Sequence, residues 1–135
     1  MSRTFLPALA LLLLVCATVG AQTQTQPAPL LIGRVSVNQT HIAFAYAGDV
    51  WLVARTGGEA KRIGAQPGSN NFPAFSPDGS QLAFAKQSGN AWDVYVMPAT
   101  GGAQRRLTFH PNTDFPVGWT PDGKSVLFSS NRSAF

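Results

Sequence analysis

A repeat of about 44 residues runs through most of this 135-residue chain and restricts what the chain can fold into. The segment 73–85, PAFSPDGSQLAFA, returns as VGWTPDGKSVLFS at 117–129. A second segment, DVWLVARTGGEAKRI at 49–63, returns as DVYVMPATGGAQRRL at 93–107. Internal repeats of this period predict an array of one supersecondary unit rather than one irregular domain.

Each unit is interpreted as four short strands, and residues 73–109 hold the complete example. Its strands are PAFS, QLAFAKQ, WDVYVMP and QRRLTF, separated by SPDG and TGG turns that suit tight connections. In the second strand, Leu82 and Phe84 alternate with small residues, which predicts one buried face. No segment after the first 21 residues shows a 3.6-residue apolar period, so the chain is predicted to be all-β.

Four antiparallel strands in about 44 residues are typical of a β-propeller blade. We therefore predict a partial propeller of about two and a half four-stranded blades within 33–135, at approximately 33–65, 73–109 and 116–135. The first blade lacks a clear first strand. Because propellers close with at least about four blades, the sequence is expected to be a piece of a larger protein with an unpaired apolar edge. Several copies closing into a ring are the alternative.

The amino terminus predicts export. Arg3 precedes an apolar stretch that ends in small residues, which is the pattern of a secretory signal peptide at 1–21. Residues 22–32 are polar and Pro-containing and suit a flexible leader. Val15 stands before Cys16 where a lipoprotein would have a small residue, so cleavage near Ala21 is favoured over lipid attachment. The expected location is periplasmic or secreted, with no membrane contact after cleavage.

Composition excludes several functions. The predicted mature chain has nine Lys and Arg against six Asp and Glu and no cysteine, and its cations form no basic stripe, so nucleic acid is not an expected partner. There is no G-x-S-x-G, H-E-x-x-H or Walker sequence. His41 and His110 occupy different repeat positions and are interpreted as solvated or structural. The chain is therefore expected to carry no catalytic residue, cofactor or metal ion.

Two acidic turns recur and are interpreted as structure rather than as an acidic site. Each Asp stands between Pro and Gly, where its side chain can bond nearby backbone and shape the turn. The predicted structural turn residues are Pro77, Asp78, Gly79, Pro121, Asp122 and Gly123.

Other recurring or aromatic residues also have structural interpretations, with Trp92 as the exception. Asp49 and Asp93 begin equivalent strands and are expected to accept hydrogen bonds within their blades. Trp51 and Trp119 fit packing between blades. Trp92 lies at a hairpin and is the candidate for a surface contact.

The segments FSPDGSQLAFA, DVYVMPATGGAQRRLT and GWTPDGKSVLFSSNR resemble TolB-like and tricorn-like propeller repeats over most of residues 41–132. IAFAYAGDVWLV, with its short hairpin, and LTFHPNTDFPVGWTPDGKSVLF are most similar to the amino-terminal propeller of tricorn protease homologues. That resemblance implies a module that gates or sorts peptides. It also implies that further blades, a PDZ domain and a Ser/His protease domain lie downstream as partners in the parent protein.

Two alternatives remain open at this point. One is a TolB-like periplasmic propeller that binds other proteins without catalysis. The other is a propeller that precedes a different hydrolase.

Overall fold

The computed structural model describes residues 33–64 and 69–133, and every regular element in these residues is a β-strand. The all-β prediction is confirmed. In chain order the strands are β1 Val35–Val37, β2 His41–Tyr46, β3 Asp49–Ala54, β4 Lys61–Arg62, β5 Asn70–Phe75, β6 Gln81–Ser88, β7 Ala91–Pro98, β8 Arg105–Arg106, β9 Asp114–Trp119 and β10 Val126–Ser130. The predicted signal peptide and leader lie outside the described residues.

The strands form three antiparallel sheets, each following the order of the chain. Blade 1 contains β1 to β4, blade 2 contains β5 to β8, and blade 3 contains the pair β9 and β10. Neighbouring blades contact each other through their first strands, because β5 packs against β1 and β2 on one side and against β9 on the other. This arrangement confirms the predicted four-stranded blades of a partial propeller.

Blade 1 has a first strand, which the sequence reading did not find. The three residues of β1 pair with β2 in the register Val35↔Phe44, Ser36↔Ala43 and Val37↔Ile42. The strand was missed because it is short and is followed by Asn38–Gln39 where the later blades have the Asp-Gly turn. Antiparallel pairing with the longer strand β2 stabilises β1, although the sequence of β1 alone shows no strand pattern.

Blades 2 and 3 begin earlier than predicted. Their first strands start at Asn70 and Asp114. Each strand contains a β-bulge next to a proline, and its pairing continues on both sides of the bulge. Proline has no backbone N–H to donate to a ladder and is found at such bulges. A proline was therefore read as the start of a strand that in fact continues through it. The fourth strands are only two residues long, shorter than the predicted QRRLTF.

The second blade is buried on both faces. Leu82, Ala83, Phe84 and Ala85 are consecutive in β6 and each is fully buried. The prediction of one buried face was wrong, because a blade between two others covers both faces of its sheet. Most of the exposed large apolar residues lie at the two outer blades, Val35 and Val37 on β1 and Val117, Leu127 and Phe128 on blade 3, and Phe109 lies in the connection between blades 2 and 3.

Antiparallel order gives each blade two distinct ends. At the turn end, the first strand turns into the second, through residues 38–40, 76–80 and 120–125. At the junction end, the first and third strands begin, so Asp49, Asn70, Asp93 and Asp114 all lie there. The two ends carry different chemistry.

Candidate functional site

In blade 2, the turn at residues 76–80 forms hydrogen bonds to the carboxylate of Asp78. Asp78 Oδ1 accepts hydrogen bonds from Ser76 Oγ at 2.6 Å and from Ser80 N at 3.1 Å, and its Oδ2 accepts one from Ser80 Oγ at 2.7 Å. The Ser76 hydroxyl, followed by those from Ser80, lowers the pKa of Asp78 to about 2. Pro77 precedes the aspartate, and Gly79 follows it with a φ of 71°. A carboxylate bonded in this way is not free to act as a general base.

Blade 3 repeats this turn with small changes. Asp122 Oδ1 accepts from Thr120 Oγ1 at 2.6 Å and from Lys124 N at 3.1 Å. The Thr120 hydroxyl, with the Lys124 amide, holds the pKa of Asp122 below its ordinary value. Pro121 and Gly123 flank the aspartate, and Gly123 has a φ of 68°.

Blade 1 has an equivalent turn built on an amide, which sequence reasoning missed. Asn38 Oδ1 accepts hydrogen bonds from Thr40 N at 2.9 Å and from His41 N at 2.7 Å. The signal was available, since HIAFA at 41 and QLAFA at 81 are 40 residues apart and the same offset places Asn38 on Asp78. Asn38 also packs across the blade boundary, where a Cβ on Gly79 would lie 2.9 Å from Asn38 Nδ2.

A cleft of about 710 Å³ opens at the turn end between blades 1 and 2. It is lined by Val37, Arg55 and Phe75 together with the two neighbouring turns. Ser36 Oγ accepts a hydrogen bond from Phe75 N at 3.0 Å across the same boundary. The volume of this cleft lies in the range of ligand pockets, and the lining of the cleft offers one cation, apolar side chains and backbone groups.

At the junction end, the boundary between blades 1 and 2 is bridged by a hydrogen bond beside an ion pair of blade 1, a group here called the first junction. Asp49 accepts from Arg62 Nε at 3.2 Å and from Asn70 Nδ2 at 3.1 Å. Gly64 lies beside them, and a Cβ at this position would collide with Asp49 Oδ1. The first strand of blade 2 is thus bonded to the third strand of blade 1.

The equivalent second junction, between blades 2 and 3, holds two carboxylates. Asp93 Oδ2 lies 2.6 Å from Arg106 Nη2, and Asp114 Oδ2 lies 2.7 Å from Arg132 Nη2. Thr108 Oγ1 accepts from Val94 N at 2.9 Å and donates to Asp93 Oδ1 at 3.4 Å.

Asp114 is ionised despite its burial. Burial pushes the pKa of Asp114 upward, but hydrogen bonds from Ser130, Arg132 and Thr108 outweigh that effect and hold the pKa below its ordinary value. Both carboxylates of this junction have a guanidinium partner, so they fit a structural ion-pair network.

Trp92 is half-buried at the junction end and belongs to an aromatic ladder. Its ring centroid lies 5.9 Å from that of Phe115, which lies 4.4 Å from that of Phe72. The Arg34 guanidinium stands 5.0 Å from the Phe72 centroid. The ladder Arg34, Phe72, Phe115 and Trp92 therefore joins all three blades near the junction end. Apart from Trp92, no sequence pattern indicated this ladder.

The other two tryptophans pack differently. Trp119 Nε1 donates to Ala74 O at 2.9 Å, from blade 3 to blade 2. Trp51 Nε1 donates to Tyr46 O at 3.1 Å, and the two rings meet edge to face within blade 1.

Neither histidine belongs to a catalytic constellation in the described residues. His41 Nδ1 is 2.8 Å from Thr40 Oγ1, and His110 Nδ1 accepts from Asn112 N at 3.2 Å. Among residues 33–64 and 69–133, no group of three or more His, Cys, Asp or Glu could hold a metal ion. The same residues include no helix that is long and apolar enough to cross a membrane.

These sheets and their packing define the successive blades of a β-propeller. Residues 29–135 match the family described as the tricorn protease N-terminal β-propeller domain. The chain belongs to that family. No curated protein matched the sequence.

Solved structures show the same fold. The chain superposes on TolB from Agrobacterium tumefaciens with a TM-score of 0.64 and 23% identity, covering 75% of this chain and 38% of that one. The tricorn protease gives 0.63 and 24%, covering 71% and 10% respectively. TolB from Acinetobacter baumannii gives 0.63 and 24%, covering 76% and 27%. The chain thus spans well under half the length of these proteins.

Proposed function

We propose that this chain is the propeller module that binds and gates peptides in an exported, tricorn-like serine protease. The observation that carries the proposal is the family match over residues 29–135. In this proposal the blades select and admit peptides, while a serine protease domain elsewhere in the parent protein cleaves them. The boundaries follow the repeat, with a signal peptide at 1–21, a leader at 22–32 and the propeller from residue 33.

Export is the second part of the proposal. It rests on the charged, apolar and small-residue segments at 1–21, and it places the protein in the periplasm or outside the cell. Cleavage near Ala21 removes Cys16, so the mature protein carries no lipid anchor at that residue.

The chemistry of the described residues is consistent with binding rather than bond cleavage. Asp78 and Asp122 are held within their own turns, and Asp49, Asp93 and Asp114 are paired with arginines. The cleft at the turn end offers backbone groups, apolar side chains and one cation, and the smaller pocket at the junction end offers aromatic and amide side chains. Such surfaces suit an extended peptide, whose backbone needs hydrogen-bond partners and whose side chains need small pockets.

The test is the activity of the whole gene product. We expect the gene to encode further blades, a PDZ domain and a serine protease domain, and the protein purified from the periplasm to hydrolyse short unstructured peptides. A radiolabelled active-site serine reagent should label that protein outside residues 22–135. A gene product without a protease domain and without hydrolysis of peptides or casein would contradict the proposal.

A TolB-like interaction propeller is the second candidate, because two TolB structures superpose as well as the tricorn protease does. It predicts a gene product with about six blades, no hydrolysis, and recovery of envelope proteins after cross-linking in intact cells. The same purification separates the two candidates.

A further inference from the structure

The ladder Arg34, Phe72, Phe115 and Trp92 includes a strained residue. Phe72 has a φ of 57°, a conformation that is rare for a bulky side chain and costs about 1–3 kcal/mol. The equivalent residue 44 positions later is Pro116, whose ring fixes φ near −65°. A blade of this repeat therefore forms without a positive φ at this position. The strain belongs to Phe72 itself, and strained residues of this kind cluster at ligand sites.

A pocket of about 230 Å³ lies next to the ladder, between blades 1 and 2. Its lining includes Trp92 and the immediate neighbours of the two ladder residues, Gly33 beside Arg34 and Asn71 beside Phe72. Tyr46 closes another side. A Cβ on Gly33 would lie 3.2 Å from both Ala45 Cβ and Asn71 Oδ1, so glycine allows this close approach. The pocket is smaller than those that enclose a whole ligand, and its size suits one side chain.

Arg34 differs from the other arginines at the junction end. Arg62, Arg106 and Arg132 each pair with an aspartate. Arg34 is exposed and lies against the Phe72 ring, and none of the chain's six acidic side chains, all of them in described residues, is within ion-pair distance of it. A guanidinium held by an aromatic face keeps its donors available for a carboxylate.

We propose that Arg34 and the neighbouring pocket together bind a peptide segment in which an acidic residue is followed by an aromatic or large apolar one. The carboxylate pairs with Arg34, and the neighbouring side chain enters the pocket beside Trp92 and Tyr46. The strain at Phe72 sets the ring that holds Arg34 in place. This inference rests on the proposed peptide-binding function and names the class of peptide that the module selects.

The test is fluorescence anisotropy with two fluorescein-labelled peptides, both amidated at the carboxyl end. One has the sequence Gly-Gly-Glu-Phe-Gly-Gly, and the other has Gln in place of Glu. We expect the Glu peptide to bind about tenfold more tightly, because a charge-assisted hydrogen bond contributes more than a neutral one. Arg34→Gln should reduce this ratio to within about twofold, and Arg34→Lys should retain part of it.

Matched variants separate binding from structure. Lys124→Gln removes an exposed cation at the turn end of blade 3 and should leave the ratio unchanged. Phe72→Gly removes the ring and the strain together, since glycine adopts a positive φ without cost. It should weaken binding of the Glu peptide, and the melting temperature should fall because the contact between the Phe72 and Phe115 rings is lost. If Arg34→Gln lowers the melting temperature but keeps the tenfold ratio, the ladder only joins the blades and the inference is wrong.

The outcomes also distinguish this inference from the function on which it rests. Equal, saturable binding of both peptides would overturn the acidic preference while supporting a peptide-binding module. Binding of neither peptide by the wild-type protein would overturn the inference, while hydrolysis of peptides by the whole gene product would still decide the proposed function.

Discussion

The first and second junctions occupy equivalent positions in the repeat but contain different residues. At the first, Asp49 has one exposed guanidinium and one amide as partners; at the second, Asp93 and Asp114 are both buried and each has its own arginine. The 44-residue offset matches Asn70 with Asp114 and Gly64 with Thr108. The repeat thus preserves the position of the contact between blades but not its charge.

The residue differences between the two junctions depend on one another, because each change of charge or size requires another change beside it. Replacing the amide of Asn70 by the carboxylate of Asp114 would leave a buried negative charge without compensation. Arg132 supplies that compensation, at the position where blade 2 has Ser88. Thr108 then places a hydroxyl where the first junction has Gly64 and no room for a side chain. The residues of each junction are compatible with one another, so exchanging a single residue between the junctions should destabilise the protein.

Removing the central aspartate should have the largest effect and should differ between the junctions. Asp93→Ala leaves the Arg106 guanidinium, whose side chain is 32% exposed, without its partner, and we expect a loss of about 3 kcal/mol in the free energy of unfolding. Asp49→Ala should cost about 1 kcal/mol, because Arg62 is 54% exposed and can turn to water. Urea unfolding followed by tryptophan fluorescence measures both. Equal losses would show that burial does not separate the two junctions.

Exchanging the amide for the acid should be the next largest effect. Asn70→Asp places a second carboxylate against Asp49 with one arginine between them, at a cost of about 2 kcal/mol at neutral pH. Burial and the like charge raise the pKa of the new carboxyl in the folded protein, so the loss should shrink as the pH falls and the group takes up its proton. Unfolding at several pH values measures this slope.

The rescue of that variant is its control. Ser88→Arg adds the cation that blade 3 has as Arg132, so the double variant Asn70→Asp with Ser88→Arg should recover most of the loss at neutral pH. Ser88→Arg alone should have little effect. A double variant no more stable than Asn70→Asp would contradict the view that these residues act as a set.

Placing a side chain at Gly64 should have the third largest effect on stability. Gly64→Thr brings a Cβ into collision with Asp49 Oδ1, and overpacking of this kind costs about 1–3 kcal/mol. The reverse exchange, Thr108→Gly, removes the hydroxyl that Val94 N donates to and should cost about 1 kcal/mol. Melting temperatures of both variants test this. A neutral Gly64→Thr would mean that the first junction has room to relax.

Sequence reasoning reached the elements that one strand or turn determines by itself. Alternation and turn residues predicted four-stranded sheets, and the chain turns at both Asp-Gly pairs, where Gly79 N donates to Ser76 O and Gly123 N to Thr120 O. It failed where the answer depends on a neighbouring blade. Leu82 and Phe84 suggested one buried face because their alternation contains no information about the sheet that covers the other.

The candidate site was less predictable for the same reason. Arg34 and Phe72 are far apart in sequence, and only the side-by-side packing of β1 and β5 brings them together. The positive φ of Phe72 has no sequence signal, since backbone strain of this kind is imposed by surroundings that over-determine it.

The smallest effect should appear at the turns, which differ between blades as the junctions do. The pKa of Asp78 is about 2 in the folded protein against an ordinary value of 3.8, so its contribution to stability is present above about pH 4 and is lost as the pH falls towards 2. Asp78→Asn should remove this part of the acid dependence and lower the unfolding midpoint at pH 7 only slightly, because an amide replaces the charge-assisted hydrogen bonds by neutral ones but can still hold the turn, as Asn38 does in blade 1. The dependence that remains should come from Asp114 and Asp122, whose pKa values are also lowered. Unfolding midpoints between pH 5 and pH 2 measure the difference, and superimposable curves for the wild type and Asp78→Asn would show that the serine hydroxyls bind the carboxyl equally well in both of its protonation states.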